Sequence, residues 1–283
     1  MLGLDPDPAA LWPAALEEGP SDGDDAARRT ARAVTIHCRS AIEAAGGSCV
    51  AVKLQLACFE RLGAAGWRAL GEVAAFARSR GLLVIADGKR GDVPVTARAY
   101  AQALVGETPG PFGSVPGLGV DAFTANPLLG RDALAPLIDA AAGAAAGCFV
   151  LVRSSNPGAA ELQDAGAGGA PLHERLATMV DALGAERVGQ VGLSSVGAVV
   201  GATRPDLLGR LRELMPRAVF LLPGVGAQGG RVDDLEPAFA PHPAAGLVAA
   251  SRSIVDAHRE RGGDPPAAAA GAAEELRATS WAL

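Results

Sequence analysis

LLVIADGKRGDV, residues 82–93, joins a short apolar run to a polar run of alternating charge. Leu82–Ala86 has the length and apolar continuity of a strand buried on both faces. Asp87, Lys89 and Asp92, which follow, form the kind of polar cluster found where such a strand reaches the edge of a parallel sheet. Working outward, the same unit recurs. Short apolar runs at Leu2–Leu4, Cys49–Leu54, Leu82–Ala86, Ala122–Thr124, Cys148–Arg153, Val196–Val200, Ala218–Leu222 and Gly246–Ala249 are candidate strands. They alternate with amphipathic stretches near 26–45, 65–80, 94–105, 130–143, 171–183, 205–215, 231–239 and 266–280. Such alternation predicts a parallel sheet, and eight repeats of it predict an α/β protein with a single (β/α)8 barrel domain over residues 1–283. The length fits, since these barrels need ~250 residues. The Gly/Pro-rich stretches PGPFGSVPGLG (109–119) and DAGAGGAP (164–171) read as loops within that domain.

Composition narrows the function. A formal charge of −6 and an aromatic content of 4% argue against a nucleic-acid partner, which wants a basic face and stacking platforms. A small phosphorylated ligand needs only one or two local cations. The four cysteines, Cys38, Cys49, Cys58 and Cys148, have neither C-x-x-C nor Cys/His metal spacing and read as buried thiols in a reducing compartment. The opening MLGLDPDP lacks the basic and apolar regions of a signal peptide, and no uninterrupted apolar span of ~20 residues occurs. The expectation is a cytoplasmic protein with no membrane partner.

In a βα barrel the chemistry sits at the C-terminal ends of the strands and in the loops after them. That rim collects Asp5, Lys53, Asp87, Lys89, Asp92, Asn126, Ser154, Ser155, Asn156, the loop Pro223–Gly230, Ser251 and Arg252. The lysines are telling. Of 25 Lys plus Arg only Lys53 and Lys89 are lysine, the other 23 being arginine, and both fall at predicted strand ends. Arginine does not give up a proton usefully, whereas a lysine oriented by carboxylates can protonate a developing carbanion. Asp87 and Lys89 share parity, so in extended backbone they point the same way. A buried array of two lysines and two aspartates is costly unless it serves a purpose.

The glycine loop PGVGAQGG after the seventh strand, with Arg252 after the eighth, matches the place where many barrels hold a phosphate. His37, His173, His242 and His258 all fall on predicted helices or loops, which leaves no Ser/His/Asp triad to assemble. The rim also lacks lysine-free carboxylates for a divalent ion.

At these residues the chain resembles the orotidine 5′-phosphate decarboxylase family, in its longer bacterial (type 2) branch. GLDPDP, AVKLQLACFE, IADGKRGDVPVTA, DAFTANPLLGRDAL, VRSSNPGA, VVGATRP, LLPGVGAQGG and AASRSI carry the resemblance in family order, over nearly the whole chain. It implies decarboxylation of orotidine 5′-phosphate to UMP, the last step of de novo pyrimidine synthesis, with no metal or organic cofactor. It further implies that Asp5 binds a ribose hydroxyl, Lys53 bridges ribose and Asp87, Asp87 faces the substrate carboxylate, and Lys89 donates the proton. Ser155 would recognise the pyrimidine edge, and Gln228 and Arg252 would hold the phosphate, with Asn126 and Gly229 also in the substrate-binding set. Asp92 and Thr96 would enter the site of a second subunit, making a homodimer with shared sites.

The chain departs from the family pattern in three places. It reads D-G-K where the family usually has D-A-K, and Leu54 stands where a proline usually follows the strand-2 lysine. Only Met1 to Leu4 precede Asp5, so the helix and fuller first strand that normally come before it are expected upstream. Two alternatives follow from the same residues. One is a sibling barrel acting on sugar phosphates as decarboxylase or aldolase, which uses a metal and an acidic group near the end of strand 2, where this chain has Lys53. The other is a non-catalytic UMP-binding barrel.

Overall fold

The computed structural model describes residues 1–18, 25–166 and 168–283. Its strands are β1 (Leu2–Leu4), β2 (Ala51–Gln55), β3 (Leu83–Arg90), β4 (Ala122–Ala125), β5 (Gly147–Arg153), β6 (Ser194–Val200), β7 (Ala218–Pro223) and β8 (Gly246–Ala249). These eight form one parallel sheet in chain order. Between or after them lie α1 (Ala26–Ala45), α2 (Gly63–Ser79), α3 (Pro94–Leu104), α4 (Arg131–Gly143), α5 (Leu172–Gly184), α6 (Leu208–Leu214) and α7 (Pro265–Trp281). Parallel strands in chain order with a helix in nearly every crossover make a (β/α)8 barrel, as the alternation predicts.

The chain divides into two compact units, Met1–Gly88 with Ala250–Ala278 and Lys89–Ala249 with Thr279–Leu283. In the first, Asp25 caps α1 by accepting the Arg28 amide at 2.8 Å. Ala31, Val34, Cys38, Ala41, Ile42 and Ala45 recur at helical spacing and are buried. β1 is three residues long yet paired on both sides. It meets β2 in the register Leu2↔Val52, Gly3↔Lys53 and Leu4↔Leu54, and the Gly3 amide donates to Ala250 O at 2.7 Å.

The second unit is centred on Phe123, Leu134, Leu137, Ile138, Val180, Leu211 and Phe220, all buried. Arg212 is buried with them, 3.7 Å from the Phe220 ring centroid. It donates to the carbonyls of Met215, Ala218, Ala238 and Ala245, tying the connection after β7 to α6.

Two local expectations change. The stretch 231–239 reads as a helix but forms two 3-10 turns, Val232–Asp234 and Glu236–Phe239. Pro237 explains the break, since it has no N–H for an α-helical bond and its ring crowds the preceding turn. The stretch 109–119 reads as a loop but contains one strand of a small hairpin, with Glu107–Thr108 pairing antiparallel to Val115–Pro116. The 164–171 stretch is a loop as expected, though Ala167 lies outside the described residues.

Candidate active site

In the first unit, β2 carries Lys53 opposite Gly3 of β1 and Ile85 of β3. Lys53 and Asp87 are buried, at 6% and 4% exposure. Lys53 Nζ lies 3.0 Å from Asp87 Oδ2 and 3.5 Å from Asp5 Oδ1. Burial alone would pull the ammonium towards neutrality, but the Asp5 and Asp87 charges and their hydrogen bonds outweigh it and hold Lys53 above its ordinary value. Lys53 is therefore a fixed cation, suited to orienting carboxylates and unsuited to giving up a proton. In sequence it reads as a strand end, whereas β2 runs on to Gln55 and places Lys53 within the strand. Asp5 directly follows β1, and Arg252, exposed, opens the short helix Arg252–Val255.

β3 also runs further than its apolar stretch suggests, to Arg90 rather than Ala86, so Asp87 and Lys89 are both strand residues. Pairing extends it, since the Asn126 amide donates to Arg90 O at 2.8 Å. The parity expectation fails at Lys89. Its φ is 44°, in the left-handed region that a side chain makes costly, so the backbone there is not extended. Its amide donates to Thr124 Oγ1 at 2.8 Å, and Thr124 is buried on β4. Strain of this kind persists only where its surroundings hold it, and it gathers at functional positions. Lys89 itself is half-buried.

Asp92 accepts the Val93 amide at 2.7 Å, just before α3, on which Thr96 is exposed. Asn126 makes a tight turn after β4, its Oδ1 accepting the Leu128 amide at 3.0 Å.

Ser155 follows β5 in a crowded corner of the second unit. A Cβ on Gly201 would sit 2.8 Å from Ser155 Cα, and one on Gly224 would sit 3.0 Å from Ser155 Cβ and 3.4 Å from Gln228 Oε1. Gly224 also has φ 103°, so glycine is needed there twice over. The two glycines let the segment after β5, the turn after β6 and the loop after β7 meet. Ser155 and Gln228 thus flank one glycine. The loop closes on itself: Gly226 N donates to Gly230 O at 2.9 Å, and Gly230 N donates to Gly224 O at 3.0 Å. Gln228 and Gly229 are exposed at its tip.

Several polar groups in these surroundings escaped the sequence reading. Thr124 supports Lys89, and Thr203 Oγ1 donates to Ser155 O at 3.0 Å. Thr124 had a usable signal, as the strand residue two positions before Asn126. Thr203 had none, because its partner is 48 positions away. Among the described residues no group of three or more His, Cys, Asp or Glu side chains is placed to hold a metal ion.

A (β/α)8 fold with a buried β2 lysine held between two carboxylates and with a glycine loop after β7 is the frame of a barrel enzyme. The chain belongs to the orotidine 5′-phosphate decarboxylase / HUMPS family, whose model matches residues 25–269. It is 45% identical over 232 residues to the orotidine 5′-phosphate decarboxylase of Rhodopirellula baltica, covering 81% of this chain and 75% of the relative. To the enzyme of that name from Deinococcus radiodurans it is 44% identical over 214 residues, covering 75% and 74%. Among solved structures, the OMP decarboxylase of Leishmania donovani superposes with a TM-score of 0.72 at 31% identity, covering all of this chain and 93% of that one.

Proposed function

We infer that this chain converts orotidine 5′-phosphate to UMP and CO2, the last step of de novo pyrimidine synthesis. The observation that carries this is the buried Lys53 held between Asp5 and Asp87, with Lys89 two residues further along β3. Decarboxylation breaks the bond from ring carbon C6 to the carboxyl carbon and leaves the electron pair on C6. That carbanion needs a nearby cation and then a proton. Lys89 Nζ supplies both, and solvent later returns the proton to the amine. Asp87, fixed by Lys53, faces the departing carboxylate, and Asp5 with Lys53 engages the ribose. Ser155 reads the pyrimidine edge, with Asn126 beside the strand that carries Lys89. Gln228, Gly229 and Arg252 hold the phosphate. No cofactor enters this scheme.

A buried lysine held by two carboxylates is hard to explain as a stability device, because hydrophobic residues of similar size usually stabilise as well or better. Lys53 also stands where the sugar-phosphate siblings would place a metal-binding acid. Loss of orotidine 5′-phosphate, followed by ultraviolet absorbance with and without a chelator, tests the assignment. Chelator-sensitive turnover of a sugar phosphate would favour the siblings, and tight UMP binding without turnover would mean a binding protein.

The working form is a homodimer in which Asp92 and Thr96 reach the partner's site. Exposed apolar side chains lie close by in sequence and support it: Val93, Val95, Leu128 and Leu129 are 53%, 83%, 70% and 45% exposed. The four thiols are free, which supports a cytoplasmic location. Among the described residues no helix is long and apolar enough to cross a membrane.

A further inference from the structure

Ser154 is tied at its amide, hydroxyl and carbonyl by side chains close to it in the chain. Its amide donates to Gln163 Oε1 at 2.8 Å, its hydroxyl lies 3.0 Å from Gln163 Nε2, and its carbonyl accepts Arg153 Nη1 at 2.5 Å. The hydroxyl also donates to Asn156 Oδ1 at 2.8 Å. Arg153 is 3% exposed, and its guanidinium grips Asp164 through Nε at 2.8 Å and Nη2 at 3.0 Å. Asp164 takes a further bond from Arg204 Nη1 at 2.9 Å, and Arg204 in turn holds Asp206 at 2.8 and 2.7 Å. His173 Nδ1 lies 2.8 Å from Gln163 O and 3.2 Å from Asp164 Oδ1.

Nothing in the decarboxylation scheme uses these groups, yet they converge on one dipeptide. Asp164 is the hub. The hydrogen bond from Arg153, with the Arg153 and Arg204 charges, outweighs its partial burial and brings its carboxyl down to about 2, so it is ionised throughout the working range. A forked arginine–carboxylate pair fixes direction as well as distance. With Ser154 pinned at its amide, carbonyl and hydroxyl, and Ser155 O held by Thr203, little freedom is left to the Ser155 backbone.

We propose that Asp164, acting through Arg153 and alongside Gln163, is a positioning residue that aims the Ser155 hydroxyl at the pyrimidine. This rests on the assignment of Ser155 to that edge, and a double-mutant cycle on the full-length enzyme separates the two. Displacing a contact by about 1 Å can cost up to ~100-fold. Ser155→Ala and Asp164→Ala are each expected to lower kcat/KM for orotidine 5′-phosphate, Asp164→Ala by about 10- to 100-fold. The double variant is expected to fall no lower than the worse single one, because both remove the same contact. Losses that multiply, with Ser155→Ala itself impaired, overturn the positioning role alone. An unchanged kcat/KM in Ser155→Ala overturns the pyrimidine assignment instead. Asp164→Ala strands the buried Arg153, so if it does not fold, Gln163→Ala carries the same cycle with no charge exposed. In that variant a lower melting temperature with full kcat/KM would mark the network as a structural brace and overturn the proposal.

Discussion

Replacing Lys53 by Met keeps most of the length and the apolar character of the stem and removes the ammonium with its charge and hydrogen bonds. Asp87, 4% exposed, then loses a cation 3.0 Å away. At an effective dielectric of ~20 that contact alone is worth ~5 kcal/mol of attraction, offset by the desolvation of both groups. The second contact, to Asp5 at 3.5 Å, counts for less because that side chain is 37% exposed to solvent. Breaking a buried pair by deleting one partner typically costs ~3–5 kcal/mol. For a chain of this size such a loss lowers the thermal midpoint by about 10 °C. The informative comparison is the double variant Lys53→Met/Asp87→Leu. With both charges gone, most of the lost stability is expected to return, although neither protein turns over substrate. Urea and thermal unfolding of wild type, single and double variants measure this at pH 7. A double variant less stable than the single one would refute the reasoning, since the cost could not then come from a buried carboxylate deprived of the Lys53 charge. The pH dependence gives a second check. Lys53 is held above its ordinary value of 10.5, so its contribution is complete below that pH and is lost as pH rises through the higher folded-state value. Lys53→Met is expected to flatten that alkaline loss.

Lys89→Arg is expected to fold and bind UMP but lose turnover, because a guanidinium cannot donate the proton; kcat near wild type would remove Lys89 from that role. If Asp92 and Thr96 work in the partner's site, inactive Asp92→Ala and Lys89→Ala chains mixed under conditions of subunit exchange are expected to regain activity. One site per heterodimer then escapes both defects, and verified exchange without recovery would mean that each site is built from one chain. His37 is buried, accepts the Trp12 amide through Nδ1 at 3.1 Å, and is kept neutral, chiefly by burial and next by His258, down to about 4. Its folded-state value lies below the unfolded 6.5, so stability is complete above pH 6.5 and falls by ~3 kcal/mol as pH drops towards 4. Urea midpoints at pH 7 and 4.5 are expected to differ less in His37→Gln than in wild type, and equal slopes would count against the assignment.

What the sequence by itself determined is the order and placement of the barrel strands. β1 and β8 have the bounds their apolar runs predict, and the starts of the other six lie within two residues of prediction. That succeeds because a strand buried on both faces must be apolar along its whole length, and glycine, proline and polar residues interrupt it locally. The lysine–aspartate set was legible for a similar reason, as charges placed where burial penalises them stand out from their neighbours. Only the tertiary structure decided how those residues are held. The left-handed turn at Lys89 depends on a bond to Thr124, 35 positions away, and the Ser155 carbonyl on Thr203, 48 positions away. The Asp164 hub joins Arg153 to Arg204, which lies 40 positions further along the chain. Serine, threonine and arginine are common on any surface, and nothing local marks the ones whose partners lie that far off. Such groups acquire their roles only when β3 and β4, or the segments after β5 and β6, come side by side and each buried donor has to find its acceptor.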